Sequence, residues 1–409
     1  MNAEQRRGLG RGMTRRQFAA AAVTLVGARS VRGTAANSRV RLAMFGCGGR
    51  GTWIGKLFEE HGGYQIAAAA EYFPDRVNRF GDAFGVSTAR RYTGLSGYKR
   101  LLDDGGVDAV AIESPPYFHP EHAAAAVDAG KHVYLAKPIA VDVPGCRTVG
   151  AAGRKATQQG LCFLVDFQTR ADPFYSEAIK RVRAGALGRF AFGEATYHAG
   201  IPWQSQIPYA RKAEADPESR LRAWGLDRVL SGDIITEQNI HTLDVVGWIM
   251  NQPPECAYGT GGRKVRDFGT CWDTFSLVFL YADNVGITFS SRQFNGHGTQ
   301  PDGIRNRMFG SEGVLETQYG GQVLIRGKHF YRGGSTATIF KQGAVNNIAA
   351  FYENIQKGNC ANPTVAESVR SNMVTILGRT AAYEGRVVTW KEIEAGDQRM
   401  VADLRGLRD

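Results

Sequence analysis

The chain has 409 residues, 43% of them hydrophobic and 22% charged, an ordinary globular composition and too long for a single ordinary core, so two domains are expected. No stretch approaches the roughly 20 apolar residues that span a bilayer, and no repeat or long low-complexity tract is visible. Of the net charge of +11, more than half sits in residues 1–36, which carry seven arginines against Glu4 alone; the rest is scattered, without the Lys/Arg block of a nucleic-acid footprint.

Residues 1–36 read as an address. Thr14-Arg15-Arg16-Gln17-Phe18 precedes a short, weakly apolar run, Ala19 to Ala28, and then small residues at Thr34-Ala35-Ala36. That order suits a signal segment with a small-residue cleavage site, and the paired arginines resemble the twin-arginine signal, whose route exports folded proteins. A periplasmic or otherwise exported location follows, with the cytoplasm as the alternative if the segment is a basic tail.

Structure is expected from residue 38. "VRLAMF" reads as a strand and runs into Gly46-Cys47-Gly48-Gly49-Arg50-Gly51, followed by a helical stretch. Gly46, Gly48 and Gly51 fit G-x-G-x-x-G: one glycine for the tight turn, one for close approach to a pyrophosphate, one for helix–strand packing. Phosphates then lie at a helix N-terminus, with Arg50 beside them. The next strand, "YQIAAAAEY", ends at Glu71, twenty residues after Gly51, where an acid accepts the ribose hydroxyls and repels a 2′-phosphate. NAD is therefore favoured, while Arg76 and Arg79 keep NADP open. "GVDAVAIESPP", "EHAAAAVDAG" and "KHVYLAKP" continue as strand, helix, strand, so Ser114-Pro115-Pro116 and Ala136-Lys137-Pro138 fall at strand ends, where ligands bind in such folds.

Further on, "CWDTFSLVFLYADNVGITFSSRQF" alternates like paired strands about an Ala-Asp-Asn turn. The six cysteines form no C-x-x-C pair, which excludes a zinc framework and a disulfide-dense scaffold; an exported chain has material for one bridge, of unspecified pairing. "SGDIITEQNIHTLDVVGW", residues 231–248, spaces Glu237, His241 and Asp244 four and three apart, along one side of a helix. Three readings are open: a metal site, which lacks a second nearby histidine; a satisfied polar stripe beside Ile240, Leu243 and Val246; or acid–base residues facing a cofactor cleft.

The order of these motifs, with "VDFQTRADPFY", "FGSEGVLE", "FYENIQKGN" and "AAYEGRVV", resembles the Gfo/Idh/MocA oxidoreductases over most of residues 38–390. The resemblance implies an α/β protein: an N-terminal Rossmann domain, taken as 38–158, and a C-terminal substrate-binding and oligomerisation α/β domain, 159–409. The latter has a large, mostly antiparallel open sheet, one face of which packs on another subunit in a dimer or tetramer. It implies Lys137 and His241 as the catalytic pair, and cofactor contacts from Ser114, His119, Lys137 and Gln168. Arg170 matches a recurrent arginine and, with Asp244, is assigned to substrate. Two positions depart from the pattern: Ala136 stands where the family has a glutamate before the lysine, and Glu237 where it has an aspartate.

Hydride transfer from a secondary alcohol needs a base for the hydroxyl proton, and an imidazole with a reference pKa near 6.5 suits that role. Lys137 then polarises the oxygen or relays the proton, and Glu237 orients the imidazole or binds substrate hydroxyls. The substrate implied by the resemblance is a sugar, glycoside, polyol or cyclitol; Tyr197, His198, Trp203 and Tyr209 offer the flat faces and hydrogen bonds sugars use. Export implies a tightly bound dinucleotide. Two enzyme readings follow, net oxidoreduction or NAD-dependent glycoside hydrolysis through transient oxidation, and beside them a non-catalytic dinucleotide-binding module.

Overall fold

A computed structural model describes residues 39–300 and 302–409; the twin-arginine segment lies outside them. Residues Val40–Asp409 form one compact unit. Its first sheet is wholly parallel, in the order β3-β2-β1-β4-β5-β6. The strands are β1 (Val40–Phe45), β2 (Tyr64–Glu71), β3 (Arg91–Thr93), β4 (Ala109–Ile112), β5 (His132–Ala136) and β6 (Phe163–Asp166). Strands β1, β4, β5 and β6 are almost entirely buried, which is why they read as unbroken apolar runs rather than alternating ones. The parallel sheet thus extends beyond residue 158.

The second sheet has nine strands in the order β14-β13-β12-β11-β7-β10-β9-β8-β15: β7 (Phe190–Ala199), β8 (Cys256–Gly262), β9 (Thr274–Tyr281), β10 (Val285–Gln293), β11 (Gly303–Gly310), β12 (Gly313–Gln318), β13 (Gln322–Gly327), β14 (Tyr331–Ser335) and β15 (Val388–Thr389). Its pairings are antiparallel except β10 with β7. The β9–β10 turn falls on Ala282–Asn284, where Asp283 and Asn284 take positive φ, a conformation those residue types tolerate best after glycine. Alternation splits this sheet. Phe275, Leu277, Phe279, Ile287 and Phe289 are buried, whereas Phe192, Tyr258 and Val278 are exposed.

Two C-terminal helices bind the sheets together. Ile339–Lys357 returns to the parallel sheet, with Phe340 stacked on Trp53 and Phe351 in the core beside Phe58 and Tyr134. Pro363–Glu384 ties the segment after β5 to Gly232. Asn372 accepts from the Ile139 N–H and donates to the Ala140 carbonyl, each at 3.1 Å. The buried Arg379 donates to the Gly232 and Val141 carbonyls at 2.6 and 2.8 Å. All six cysteines are free thiols, and Cys162 and Cys360 place their sulfurs 3.3 Å apart. Among the described residues, no helix is long and apolar enough to cross a membrane.

Candidate active site

The glycine turn is built as its spacing demands. A Cβ on Gly51 would lie 1.9 Å from the Gly46 carbonyl oxygen, and Gly46 itself, at φ +91°, leaves no room against Glu113 and Ser114. A Cβ on Gly48 would instead enter open space, with Arg76 nearest at 3.9 Å. That opening lies at the start of helix Gly49–His61, which has no side-chain cap, so its first N–H groups face the cleft and suit a pyrophosphate. Glu71 lines the same cleft with Arg76. Its carboxylate accepts from the Cys47 and Phe73 N–H groups at 2.9 and 3.2 Å, which fixes it at the end of β2 with lone pairs left for a ribose diol. These features fit a dinucleotide.

Beyond Glu113 and Ser114, which line both spaces, lies a cavity of about 310 Å³. Lys137, just past β5, donates to the Glu237 carbonyl at 2.6 Å and to its carboxylate at 3.2 Å. Gln238 donates to the other Glu237 oxygen at 2.7 Å and accepts from the Tyr197 hydroxyl. His241 lines the same wall, with its Nδ1 unpartnered among the described residues. Burial, aided by the Lys137 and Arg50 cations, holds its pKa well below the usual 6.5. The imidazole is therefore neutral throughout the physiological range, not balanced near pH 6.5 as its residue type alone suggests. Lys137 lacks the family's preceding glutamate, but Glu237 gives it a carboxylate partner from across the cavity.

The stretch 231–248 is not one helix. Asp233–Glu237 ends, Gln238 and Asn239 intervene, and Ile240–Met250 begins anew. Glu237 and His241 still face one cavity, but Asp244 does not. It is fully buried, accepts from Arg170 Nε and Nη2 at 2.9 and 2.8 Å and from Ser371 at 2.6 Å, and Arg170 also pairs with Glu367. Neither Arg170 nor Asp244 reaches the cavity, so their assignment to substrate is corrected: they form a buried ion pair joining three segments. His198 is corrected too. Strand alternation turns Tyr197 into the cavity and His198 to the other face, where it meets Ser290 at 3.0 Å. Among the described residues, no group of three or more His, Cys, Asp or Glu is disposed to hold a metal.

The remaining assignments divide similarly. Gln168 lines the cavity, accepting from Tyr319 at 3.1 Å; Gly343 permits this approach, since a Cβ there would lie 2.5 Å from the Gln168 side chain. His119 is buried between the Pro138 and Ser114 carbonyls, each 2.7 Å from a ring nitrogen, so it braces the two strand ends instead of offering a free nitrogen to cofactor. Ser114 meets His122 at 3.0 Å. Arg50, expected beside the phosphates, lines the cavity and not the glycine-turn cleft, because it reaches across to Glu113 at 3.3 Å and Asp166 at 2.5 Å. Trp203 lines the cavity, packed over Gly225, where a Cβ would strike its ring. Tyr209 is 38% exposed and lies outside it. Glu113, Asp166, Tyr319, Trp224, Asn372 and Arg379 were not singled out from the sequence. The two acids at strand ends carried a legible signal, the others none.

Comparison with known proteins accords with this geometry. Residues 40–167 match the oxidoreductase family with an NAD-binding Rossmann fold, Gfo/Idh/MocA, and residues 175–316 match the Gfo/Idh/MocA C-terminal domain. Myo-inositol dehydrogenase Hyg17 of Streptomyces leeuwenhoekii is 25% identical over 67% of this chain and 75% of its own length. A glycosyl hydrolase family 109 protein of Shewanella pealeana is 30% identical, over 40% of this chain and 36% of that protein. The crystal structure of aldose–aldose oxidoreductase from Caulobacter crescentus complexed with glycerol superposes with a TM-score of 0.67 at 22% identity, covering 86% of this chain and 99% of that one. With two consecutive family domains, an NAD-type glycine turn and a lysine–histidine cavity at its end, the chain belongs to the Gfo/Idh/MocA oxidoreductases.

Proposed function

We propose that the protein moves a hydride between a nicotinamide dinucleotide and a secondary alcohol carbon of a polyol, cyclitol or sugar, with Lys137, His241 and Glu237 managing the oxygen and its proton. One observation carries the reading: Lys137 and Glu237, 100 positions apart in sequence, meet with His241 in a cavity that opens onto the glycine-turn cleft at Glu113 and Ser114. When bound, the nicotinamide supplies the hydride acceptor. Lys137 spends two of its three ammonium donors on Glu237, leaving one for the substrate oxygen, where its charge stabilises a developing alkoxide. The neutral His241 imidazole accepts the hydroxyl proton. Glu237, whose two oxygens go to Lys137 and Gln238 while His241 Nδ1 has no partner among the described residues, holds Lys137 in place instead of orienting the imidazole and, through Gln238, ties it to Tyr197. Tyr197, Gln168 and Tyr319 provide polar contacts for a substrate with several hydroxyls, and Trp203 a flat apolar face. The inositol dehydrogenase relative supports this substrate class.

A redox-neutral glycoside hydrolysis is the second reading, favoured by the family 109 relative. Under either, the arginine-paired leader is read as an export signal and the dinucleotide as tightly held. The exposed face bearing Phe192, Tyr258 and Val278 is read as the homo-oligomer contact. Denaturing the purified protein and identifying the released nucleotide tests the cofactor; a panel of inositols, aldoses and glycosides tests the substrate. Net NADH formation, or reduction of a second sugar, supports oxidoreduction, while aglycone release without net NADH supports the second reading. A protein that neither releases nor takes up a dinucleotide refutes both.

A further inference from the structure

Three positions form a row across the carboxyl edge of the parallel sheet: Glu113 just past β4, Ala136 ending β5 and Asp166 ending β6. The register sets Ala136 opposite Asp166, and Leu135 opposite Ile112. The Arg50 guanidinium crosses the row from the glycine-turn helix, with Nε 3.3 Å from Glu113 and Nη2 2.5 Å from Asp166. A longer acid at 136 would compete for this space; alanine does not. Both carboxylate side chains have no exposed surface. Asp166 is further satisfied by Asn347 at 2.7 Å, whereas Glu113 Oε1 is buried without a partner among the described residues.

Lys137 and Glu237 offset each other across the cavity. Arg50 offsets only one of Glu113 and Asp166, so above pH 7, with both ionised, one negative charge is left over on carboxylates that have no exposed surface, where charges act at low effective dielectric. Glu113 and Ser114 line both the phosphate cleft and the cavity, so a dinucleotide occupying both would pass over Glu113, whose carboxylate lies buried beneath that surface. A nicotinamide ring is a cation when oxidised and neutral when reduced.

We propose that the Arg50–Glu113–Asp166 row selects the oxidation state of the cofactor, favouring NAD⁺ over NADH, and that Glu113 sets the preference. Burial pushes the Glu113 carboxyl up to about 7, Asp166 adding to the rise, with the nearby Arg50 and Lys137 cations only partly opposing it. Such a carboxylate gains from one more positive charge. The inference rests on the cavity being a nicotinamide site.

The test is calorimetric titration of nucleotide-free full-length protein with NAD⁺ and with NADH at pH 8, comparing wild type, Glu113→Gln and Asp166→Asn. In Glu113→Gln the Kd for NAD⁺ should rise at least tenfold while that for NADH moves less than threefold. Asp166→Asn should shift the ratio the same way, and it carries the test if the first variant fails to fold. Equal losses for both nucleotides would mean that the row only shapes the site, and unchanged affinities that it is idle; either overturns the proposal. Binding of neither nucleotide by wild type overturns the nicotinamide reading itself, and the proposal with it.

Discussion

Truncating Asp244 to alanine separates a structural ion pair from a substrate contact. Asp244 is fully buried and accepts from two Arg170 nitrogens and the Ser371 hydroxyl. Arg170 is itself almost wholly buried, its side chain 8% exposed, and keeps the partly exposed Glu367 as its anionic partner when Asp244 is gone. Breaking a buried pair by removing one partner costs about 3–5 kcal/mol, chiefly because a charge is left uncompensated. Unfolding entropy of roughly 2 cal/mol/K per residue, over a unit the size of residues 40–409, makes each kcal/mol worth about 1.3 °C. Asp244→Ala should therefore lower Tm by about 4–6 °C in scanning calorimetry, and Arg170→Met with Asp244→Leu together should recover much of the loss, because the replacement leaves no orphaned charge. KM for the substrate should stay within about threefold in the surviving folded enzyme. A Tm unchanged within a degree, or a large rise in KM at unchanged Tm, would refute the structural assignment and return the pair to the binding site.

His241→Ala should lower turnover by about 10²–10⁴ while a stoichiometric nucleotide titration shows dinucleotide still bound. Gly48→Val should fold, by circular dichroism, yet lose nucleotide binding, because its side chain enters the open cleft; Gly51→Ala should lose stability as well, because its Cβ meets the Gly46 carbonyl at 1.9 Å. Acid stability follows from the buried histidines: burial lowers His119 to about 4, His122 to about 3 and His241 well below 6.5. Their unfolded forms take up protons first as pH falls below 6.5, so each removes up to about 1.4 kcal/mol per pH unit between 6.5 and its folded pKa. Glu113, raised to about 7, acts oppositely between about 4.5 and 7, so urea denaturation should still show stability falling from pH 6.5 to 4.5. Finally, oxidised glutathione should exchange with the Cys162–Cys360 pair and close one intramolecular disulfide; tryptic mapping that finds both thiols still alkylated would count against it.

What the sequence by itself determined is whatever depends on neighbours along the chain. Glycine spacing at 46–51, the acid at Glu71, the apolar runs of β1, β4 and β5, and the Ala-Asp-Asn turn are local patterns, and local sterics give them one outcome. The positions of Lys137, His241 and Gln168 were legible for a related reason: motif order along the chain carries over through family resemblance. Tertiary structure alone decided which polar side chains share a space. Glu237, His241 and Asp244 have the spacing of one helical face, yet Asp244 turns into the core, where Arg170 and Ser371 pair with it. His198 is one residue from Tyr197 and faces the opposite side of the sheet. The Arg50–Glu113–Asp166 row joins three segments far apart in sequence. Where a buried charge finds its partner is fixed by which strands lie side by side and which helices return to cover them, because desolvation makes any unpaired arrangement costly, and linear spacing does not encode that adjacency.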